Sequence, residues 1–334
     1  MVDAGPQVGL ETKGRGVEPR YLDLLASQAE RLRGHALELI DSWRSPKATF
    51  FRYRVGPAGR TFIVKAGANW GPGDAETVFS ELRRVRALLL PVGVLVPEPL
   101  GFVSHPPLLA MEDVTGESLI KVALPARTYL HWPDGAQKVE DLAALCGRAL
   151  AQYHAAEPSP QTASVEAAVR ADIRRAALRG FVSRTKATTS LRGLQVARGF
   201  RFSANDFLTD GQRLVLLDPP HLRRFDLIHR DLSSFTFEVE RTLRMSGGSP
   251  DHRQMSESIK AAFLRAYEQE LEATAGWNWN PGPGRGHWAL NFYELSRIAG
   301  MAFNHVRAAR LGRAMSALAW AWDRRRELGQ TDAA

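Results

Sequence analysis

The chain has 334 residues, of which 44% are hydrophobic and 24% are charged. This length allows two structural units with a sizeable core, and the composition excludes a disordered, collagen-like or disulfide-stabilised protein. The longest apolar stretches, Ala87–Val96 and Met315–Trp322, are too short to span a bilayer, so no membrane partner is expected. Because the chain shows no secretory signal and has a single cysteine, Cys146, a cytoplasmic protein is expected.

The charge is strongly positive, since 44 lysines and arginines against 36 aspartates and glutamates give a net charge of +8. An arginine-rich solvated surface and an anionic partner would both explain this excess. No nucleic-acid-binding motif accompanies the charge, so nucleic acid is not expected as a partner. Only 7 of the basic residues are lysines, which makes a lysine at a candidate site more informative than an arginine.

The first part of the chain is predicted to be rich in strands. Residues 1–20 are polar and predict a flexible tail, and apolar residues at helical spacing predict a helix over Tyr21–Ile40. Thr49–Val55 and Arg60–Ala66 flank a glycine-proline turn and predict a hairpin. A helix is expected over Asp74–Leu90. A second hairpin is expected from the runs Leu100–Val103 and Leu108–Glu112.

The second part is predicted to be largely helical. The spacing of apolar residues predicts helices over Lys138–Ala156, Val165–Ser183, Asp226–Arg244, His252–Thr274 and His287–Arg325. A short hairpin interrupts them, with strands over Asp206–Thr209 and Leu214–Leu217. The order predicts an α+β fold with a small strand-rich part (21–112), a hinge (113–118) and a larger helical part (119–330).

Lys65 lies in the second predicted strand. Strand parity places it on the face opposite Phe62 and Val64, which form the expected core side. A partly buried lysine needs an anionic partner, and Glu81 on the following helix is a candidate. A strand lysine held by a helix glutamate and directed at nucleotide phosphates is the arrangement used by kinases. The alternative is an edge-strand lysine that reaches solvent.

Two aspartates flank the short hairpin. Asp218 follows an apolar strand and precedes two prolines, a position suited to a hard-cation ligand or to initiating a turn. Asp206 stands at the start of the partner strand. Because the turn at 210–211 brings the two ends of the hairpin together, both carboxylates could share one Mg²⁺.

These motifs, in this order, resemble the aminoglycoside phosphotransferase-like branch of the protein kinase-like superfamily over roughly residues 40–320. Thr49–Lys65 is similar to the second and third strands of the family's N-lobe, and Glu81 falls at its ion-pair glutamate. Leu108–Gly116 resembles the end of the hinge strand, whose backbone meets adenine. Leu142–His154 resembles a family helix that ends in histidine.

The same resemblance extends to the catalytic loop and the metal-binding strand. Phe202–Leu208 followed by Leu-Leu-Asp218 resembles the catalytic loop, the hairpin and the metal-binding aspartate of the family. The resemblance implies a two-lobed kinase-like fold, a nucleotide and Mg²⁺. It also implies that backbone near Glu112–Val114 contacts adenine.

The chain departs from the family in its catalytic loop. The family's His-Gly-Asp falls on Gly199, Phe200 and Arg201, and its asparagine falls on Asp206. The carboxylate of Asp206 keeps an oxygen ligand for a metal. Arg201 cannot accept the proton of a substrate hydroxyl, although it could contact a phosphate or an anionic acceptor. The loop expected to cover the phosphates, Ser42–Ala48, contains no glycine.

The run His229-Arg-Asp-Leu matches the letters of a protein-kinase catalytic loop. It follows Asp218 rather than preceding it, no asparagine stands at the required offset, and its apolar residues have helical spacing. In the resembled family, an Asp-Leu pair here starts a helix and braces the catalytic loop. Asp231 is therefore expected to be structural.

The sequence predicts transfer of phosphate from ATP or GTP to a hydroxyl of a small molecule, such as a sugar or an aminoglycoside-like alcohol. Lys65 would hold the phosphates and Glu81 would position Lys65. Asp206 and Asp218 would hold Mg²⁺, and Asp206 could also take the proton late. The alternative is a catalytically impaired pseudokinase that binds nucleotide or a protein partner, which Arg201 and the glycine-free loop favour.

Overall fold

The computed structural model describes residues 16–56, 59–119, 135–158, 163–178, 184–200, 202–217, 225–245, 250–281 and 284–330. The chain divides into two compact units. The N-terminal unit contains the described residues up to Leu90, then Leu95–Thr115 and a short return of the chain that begins at Val215. The C-terminal unit contains most of the remainder. Among the described residues, no helix combines the length and apolar character that crossing a membrane would require.

The strands, in chain order, are β1 (Leu37–Arg44), β2 (Ala48–Val55), β3 (Arg60–Gly67), β4 (Val94–Leu95), β5 (Pro99–Val103), β6 (Leu108–Glu112), β7 (Glu117–Ser118), β8 (Val196–Arg198), β9 (Phe207–Thr209), β10 (Leu214–Leu216) and β11 (Phe225–Leu227). The helices are α1 (Pro19–Gln28), α2 (Asp74–Leu89), α3 (Gly135–Ala156), α4 (Ala163–Leu178), α5 (Arg184–Leu191), α6 (Ile228–Met245), α7 (Pro250–Ala275), α8 (Arg285–Arg307) and α9 (Leu311–Gln330). The predicted fold class, α+β with a strand-rich N-terminal part and a helical C-terminal part, is confirmed.

The N-terminal unit is built on a five-stranded antiparallel sheet in the order β1-β2-β3-β6-β5. The two predicted hairpins are therefore confirmed. Thr49–Lys65 forms the second and third strands of the sheet, as the resemblance implied. One face packs Phe51, Phe62 and Val64 against Leu25 of α1, so the predicted core side is also confirmed.

The helix α2 begins where its sequence predicts. Gly73 precedes it with a φ of 83°, a conformation that glycine adopts without strain. The Asp74 carboxylate accepts a hydrogen bond from the Gly71 amide at 2.7 Å and adds negative charge to the first turn. Buried residues then recur at three- and four-residue spacing: Ala75, Val78, Leu82, Val85 and Leu89.

Two predicted helices differ from the structure. The helix predicted over Tyr21–Ile40 ends at Gln28, and Leu37–Arg44 is β1, an edge strand. Only its first part alternates, with Leu37 and Leu39 packing against the core, because a register shift between Leu39 and Asp41 interrupts the pattern. The helix predicted over His287–Arg325 is interrupted at residues 308–310. Ala309 there has a φ of 54°, and α9 packs back against α8. No glycine or proline lies at residues 308–310, and the helical spacing of apolar residues continues across them. The sequence pattern therefore predicted one helix.

The C-terminal unit is organised around α3 and α7, which pack closely along their length. Gly147 makes this approach possible, because a Cβ at this position would collide with the Phe263 carbonyl oxygen on α7. Phe235 of α6 stacks on Phe263, with ring centroids 4.0 Å apart. The predicted short hairpin is present, since β9 and β10 are neighbours on either side of the turn at 210–211. Residues 226–227, predicted as helix, belong to β11, and α6 begins at Ile228.

Candidate functional site

Lys65 belongs to a row of side chains that crosses the whole N-terminal sheet. The cross-strand pairs are Trp43 with Phe50, Phe50 with Lys65, Lys65 with Leu109, and Leu109 with Phe102. Directly paired residues of antiparallel strands share a face, so these five side chains lie on one face, opposite the core of Phe62 and Val64. The row is largely apolar, with Lys65 at its centre.

The Lys65 side chain is buried rather than directed into solvent, with a residue exposure of 9%. Its ammonium nitrogen lies 5.9 Å from the ring centroid of Phe50 and 5.6 Å from that of Trp70. Aromatic faces attract a cation but do not replace an anion. The edge-strand alternative is therefore wrong, and the position suits a lysine that binds a negatively charged group.

Glu81 lies on α2, and this helix packs on the sheet face that carries Lys65. The packing is seen at Phe79, whose ring centroid lies 5.2 Å from that of Phe102 in the same row. Glu81 is itself buried, with an exposure of 8%. Its carboxylate accepts two hydrogen bonds from the Arg84 guanidinium, at 2.6 Å and 3.2 Å. A buried carboxylate and a buried ammonium thus belong to the same unit.

The predicted hinge, residues 113–118, follows directly on β6. The Glu112 amide donates to the Glu98 carbonyl at 2.8 Å, so this amide is already used within the sheet. The Asp113 carboxylate, whose side chain is 5% exposed, forms an ion pair with Arg52 of β2, whose Nε lies 2.8 Å away, and accepts one hydrogen bond from an Arg52 terminal nitrogen at 3.2 Å. The sequence pattern gave no sign of this pair, because its members stand 61 positions apart. The pair of Arg52 with Asp113 holds residues Glu112–Val114 against the sheet.

The turn between β1 and β2 occupies the place predicted for a phosphate-covering loop. The Ser45 hydroxyl accepts hydrogen bonds from the Lys47 and Ala48 amides at 3.2 Å and 3.1 Å. The Ser45 amide donates to the Ala48 carbonyl at 2.8 Å. Three amides of this glycine-free turn are therefore engaged within the turn itself, which leaves fewer backbone donors for a phosphate.

Asp231 lies in the first turn of α6 and is 4% exposed. Its carboxylate accepts a hydrogen bond from the Phe200 amide at 2.6 Å and lies 3.3 Å from His154 Nε2. His154, which ends the predicted family helix, also contacts the Tyr267 hydroxyl at 2.9 Å. Burial, with a further contribution from Asp231, raises the pKa of Tyr267 well above its ordinary value. The contact expected of Asp231, a brace for the segment around Phe200, is present.

Asp206 lies at the end of this braced segment. It closes a short 3₁₀ turn, with its amide donating to the Ser203 carbonyl at 3.0 Å, and it is partly exposed immediately before β9. Arg201 and Asp218 lie outside the described residues. The predicted metal pair of Asp206 and Asp218 therefore stays a prediction. Among the described residues, no group of three or more His, Cys, Asp or Glu side chains could hold a metal ion.

His229 is the first basic residue of the rejected catalytic-loop motif, and it is fully buried. Its Nε2 donates to the Trp279 carbonyl at 2.7 Å. Trp279 is itself buried and lies against His287, so it packs within the unit and is not available to stack on a sugar. Burial lowers the pKa of His229 to about 4 from an ordinary 6.5, and the positive charge of nearby His and Arg groups acts in the same direction.

The burial of His229 predicts a loss of stability in acid. Because the pKa is lower in the folded protein, the unfolded chain binds the proton first as the pH falls from 6.5 towards 4. The free energy of unfolding should therefore fall by about 3 kcal/mol across this window from this group alone. Urea titrations at several pH values would measure the loss, and a His229→Gln variant should show a smaller one. Equal pH dependence in both proteins would contradict the assignment.

No protein-family pattern matches the chain, and no curated protein matches it in sequence. Solved structures do match. A GDP complex of aminoglycoside 2'-phosphotransferase-IIIa is 12% identical, with a TM-score of 0.48 and coverage of 92% of this chain and 98% of that one.

Two further similar structures are a choline kinase and an ethanolamine kinase. The choline kinase of Cryptosporidium parvum Iowa II is 9% identical with a TM-score of 0.42, and covers 94% of this chain and 96% of its own. The Plasmodium vivax ethanolamine kinase is 6% identical with a TM-score of 0.40, and covers 88% of this chain and 84% of its own. All three TM-scores lie below 0.5, so these likenesses assign neither a family nor a substrate to this chain.

Proposed function

We propose that this protein binds a nucleoside triphosphate, ATP or GTP, through Lys65 and transfers its terminal phosphate to a hydroxyl of a small molecule. The observation that carries the proposal is the pair of buried charged groups in the N-terminal unit. Lys65 lies centrally on the sheet face, and Glu81 lies on the helix that covers this face. A phosphate is an anion that this ammonium attracts, and the Phe50 and Trp70 rings beside it also favour positive charge there.

The proposal assigns a role to each predicted site residue. Lys65 binds the phosphates and Glu81 orients Lys65. The backbone near Glu112 and Val114 contacts the base, and the Glu112 amide takes no part because it donates to the Glu98 carbonyl. Asp206 and Asp218 would hold Mg²⁺, which supplies charge neutralisation at the phosphates when bound.

The acceptor would meet the catalytic segment that Asp231 braces. Arg201 would contact a phosphate or an anionic group of the acceptor, and it cannot serve as the base. Asp206 is the remaining carboxylate of this segment and would accept the proton of the acceptor hydroxyl late in the phosphate transfer. Because phosphoryl transfer depends mainly on positioning and charge neutralisation, the loss of an aspartate at position 201 need not abolish it. A sugar or an aminoglycoside-like alcohol is the acceptor class we propose, and the cytoplasm is the proposed location.

The second candidate function is that of a pseudokinase. The turn of Ser45–Lys47 favours it, because its amides bond to the turn itself and are not presented to a ligand. Such a protein would bind nucleotide weakly or not at all, and would act through a protein partner.

The test is a calorimetric titration of the full chain with ATP and GTP, with and without Mg²⁺. We expect binding that requires Mg²⁺ and that disappears in Asp218→Ala, while Asp323→Ala, an exposed aspartate of α9, binds as the wild type does. Transfer to a panel of sugars and aminoglycosides would then be measured with labelled nucleotide. No binding at millimolar nucleotide would contradict the proposal and favour the pseudokinase. Unchanged binding in Asp218→Ala would contradict the metal assignment.

A further inference from the structure

A cavity of about 460 Å³ lies in the C-terminal unit, away from the residues discussed so far. Its walls come from the end of α6, the start of α7, the second half of α8 and the start of α9. Its α6 residues begin at Glu240, nine positions after Asp231, which is roughly 14 Å along a helix axis. The volume lies within the range of small-molecule sites.

Two buried polar groups line this cavity without a partner. Ser256 is 2% exposed and Trp320 is 6% exposed. Neither the Ser256 hydroxyl nor the Trp320 indole N–H has a hydrogen-bond partner among the described residues. A buried donor without an acceptor is costly, so both groups favour an occupant that accepts hydrogen bonds.

The charge of the lining is positive. Arg241, Arg244, Arg253 and Arg313 face two glutamates, Glu240 and Glu257. Both glutamates are already paired within the protein. The Glu240 carboxylate contacts Arg324, Arg244 at 2.9 Å and Lys260 at 3.1 Å, and the Glu257 carboxylate contacts Lys260 at 2.8 Å.

The charges of two of the arginines are not neutralised in this way. Arg253 and Arg313 line the cavity, are exposed, and form no ion pair with any residue that the structure describes. An anion in the cavity would therefore meet two arginines that are not paired with any carboxylate among the described residues.

The remaining wall is apolar. Leu243, Met301 and Ala317 line it together with the indole ring of Trp320, which stacks on Phe237 with centroids 5.4 Å apart. We propose that this cavity binds a small organic anion, whose carboxylate or phosphate accepts hydrogen bonds from the Trp320 indole N–H and the Ser256 hydroxyl and is attracted by Arg253 and Arg313, and whose apolar part lies against Leu243, Met301 and Ala317. This site is independent of the nucleotide proposed at Lys65.

The test compares three probes that each carry one phenyl ring, on the full chain: phenyl phosphate, benzoate and the neutral benzyl alcohol. Calorimetry should show that the two anions bind at least about tenfold more tightly than benzyl alcohol. The indole N–H resonance of Trp320, assigned with a Trp320→Phe variant, should shift on binding. Replacing Arg253 and Arg313 together by glutamine should weaken anion binding about tenfold or more and leave benzyl alcohol unchanged.

The matched control is Arg310→Gln, since Arg310 is exposed next to α9 but does not line the cavity. It should bind the anions as the wild type does. Binding of phenyl phosphate should also persist in Lys65→Met, which separates this site from the proposed nucleotide site. The proposal is overturned if benzyl alcohol binds as tightly as the anions, if the double variant binds them normally, or if the Trp320 resonance does not move.

Discussion

Replacing Asp231 by alanine is expected to lower the free energy of unfolding by about 4 kcal/mol. The carboxylate is 4% exposed and receives the Phe200 amide at 2.6 Å, with His154 3.3 Å away. Its removal leaves a buried amide and a buried imidazole without their acceptor, in a place that water does not reach. Urea unfolding followed by circular dichroism would measure the change.

The control for this variant is Asp141→Ala, an exposed aspartate on α3, the helix that also carries His154. Its effect should stay below about 0.5 kcal/mol. If Asp231→Ala kept wild-type stability but lost phosphate transfer, the braced-loop role would be wrong. The run His229-Arg-Asp would then have to be reconsidered as catalytic.

Replacing Lys65 by methionine should weaken nucleotide binding by roughly 10- to 100-fold, because a charge-assisted contact with the phosphates is lost. The fold should tolerate the change. Methionine has a similar length, the neighbouring rings of Phe50 and Trp70 are apolar, and Arg84 still pairs with Glu81. Because Glu81 keeps Arg84, the loss in the free energy of unfolding should stay below the roughly 3–5 kcal/mol that removing one partner of a buried ion pair costs. Calorimetric titration and urea unfolding of the same preparation would separate the two effects.

Two companion variants sharpen this experiment. Glu81→Gln should weaken nucleotide binding less than Lys65→Met, because Glu81 acts through the orientation of Lys65. Lys138→Met, on α3 of the C-terminal unit, should bind nucleotide as the wild type does. Wild-type affinity in Lys65→Met would refute the assignment of Lys65 to the phosphates, whatever ligand the cavity of the C-terminal unit accepts.

Local patterns were enough to predict most of the N-terminal unit. The runs around the turn at 56–59 alternate and are rich in β-branched residues, so β2 and β3 could be placed correctly. They were not enough for β1, because its alternation is limited to Leu37 and Leu39 before the register shift, and the rest of this edge strand is exposed. Local patterns also failed to predict the break between α8 and α9. No glycine or proline lies there, and only the packing of α9 on α8 shows the break.

For the candidate site too, some features could be predicted from the sequence and others could not. Strand parity correctly separated Lys65 from the core face of Phe62 and Val64, and motif order indicated the contact by which Asp231 braces the segment around Phe200. The pair of Arg52 with Asp113 could not be foreseen, because it joins positions 61 apart in sequence. Burial of His229 under Trp279 is a second contact of this kind.

The sequence by itself determined the fold class, the face of the sheet on which Lys65 lies and the helix that carries Glu81, because these follow from periods of two and 3.6 residues. Tertiary structure alone decided that Lys65 is buried, that the Ser45 turn bonds to itself and that the C-terminal helices enclose a basic cavity. Burial and enclosure are produced by contacts between elements that are distant in the chain. The local spacing of apolar residues does not indicate which elements come into contact.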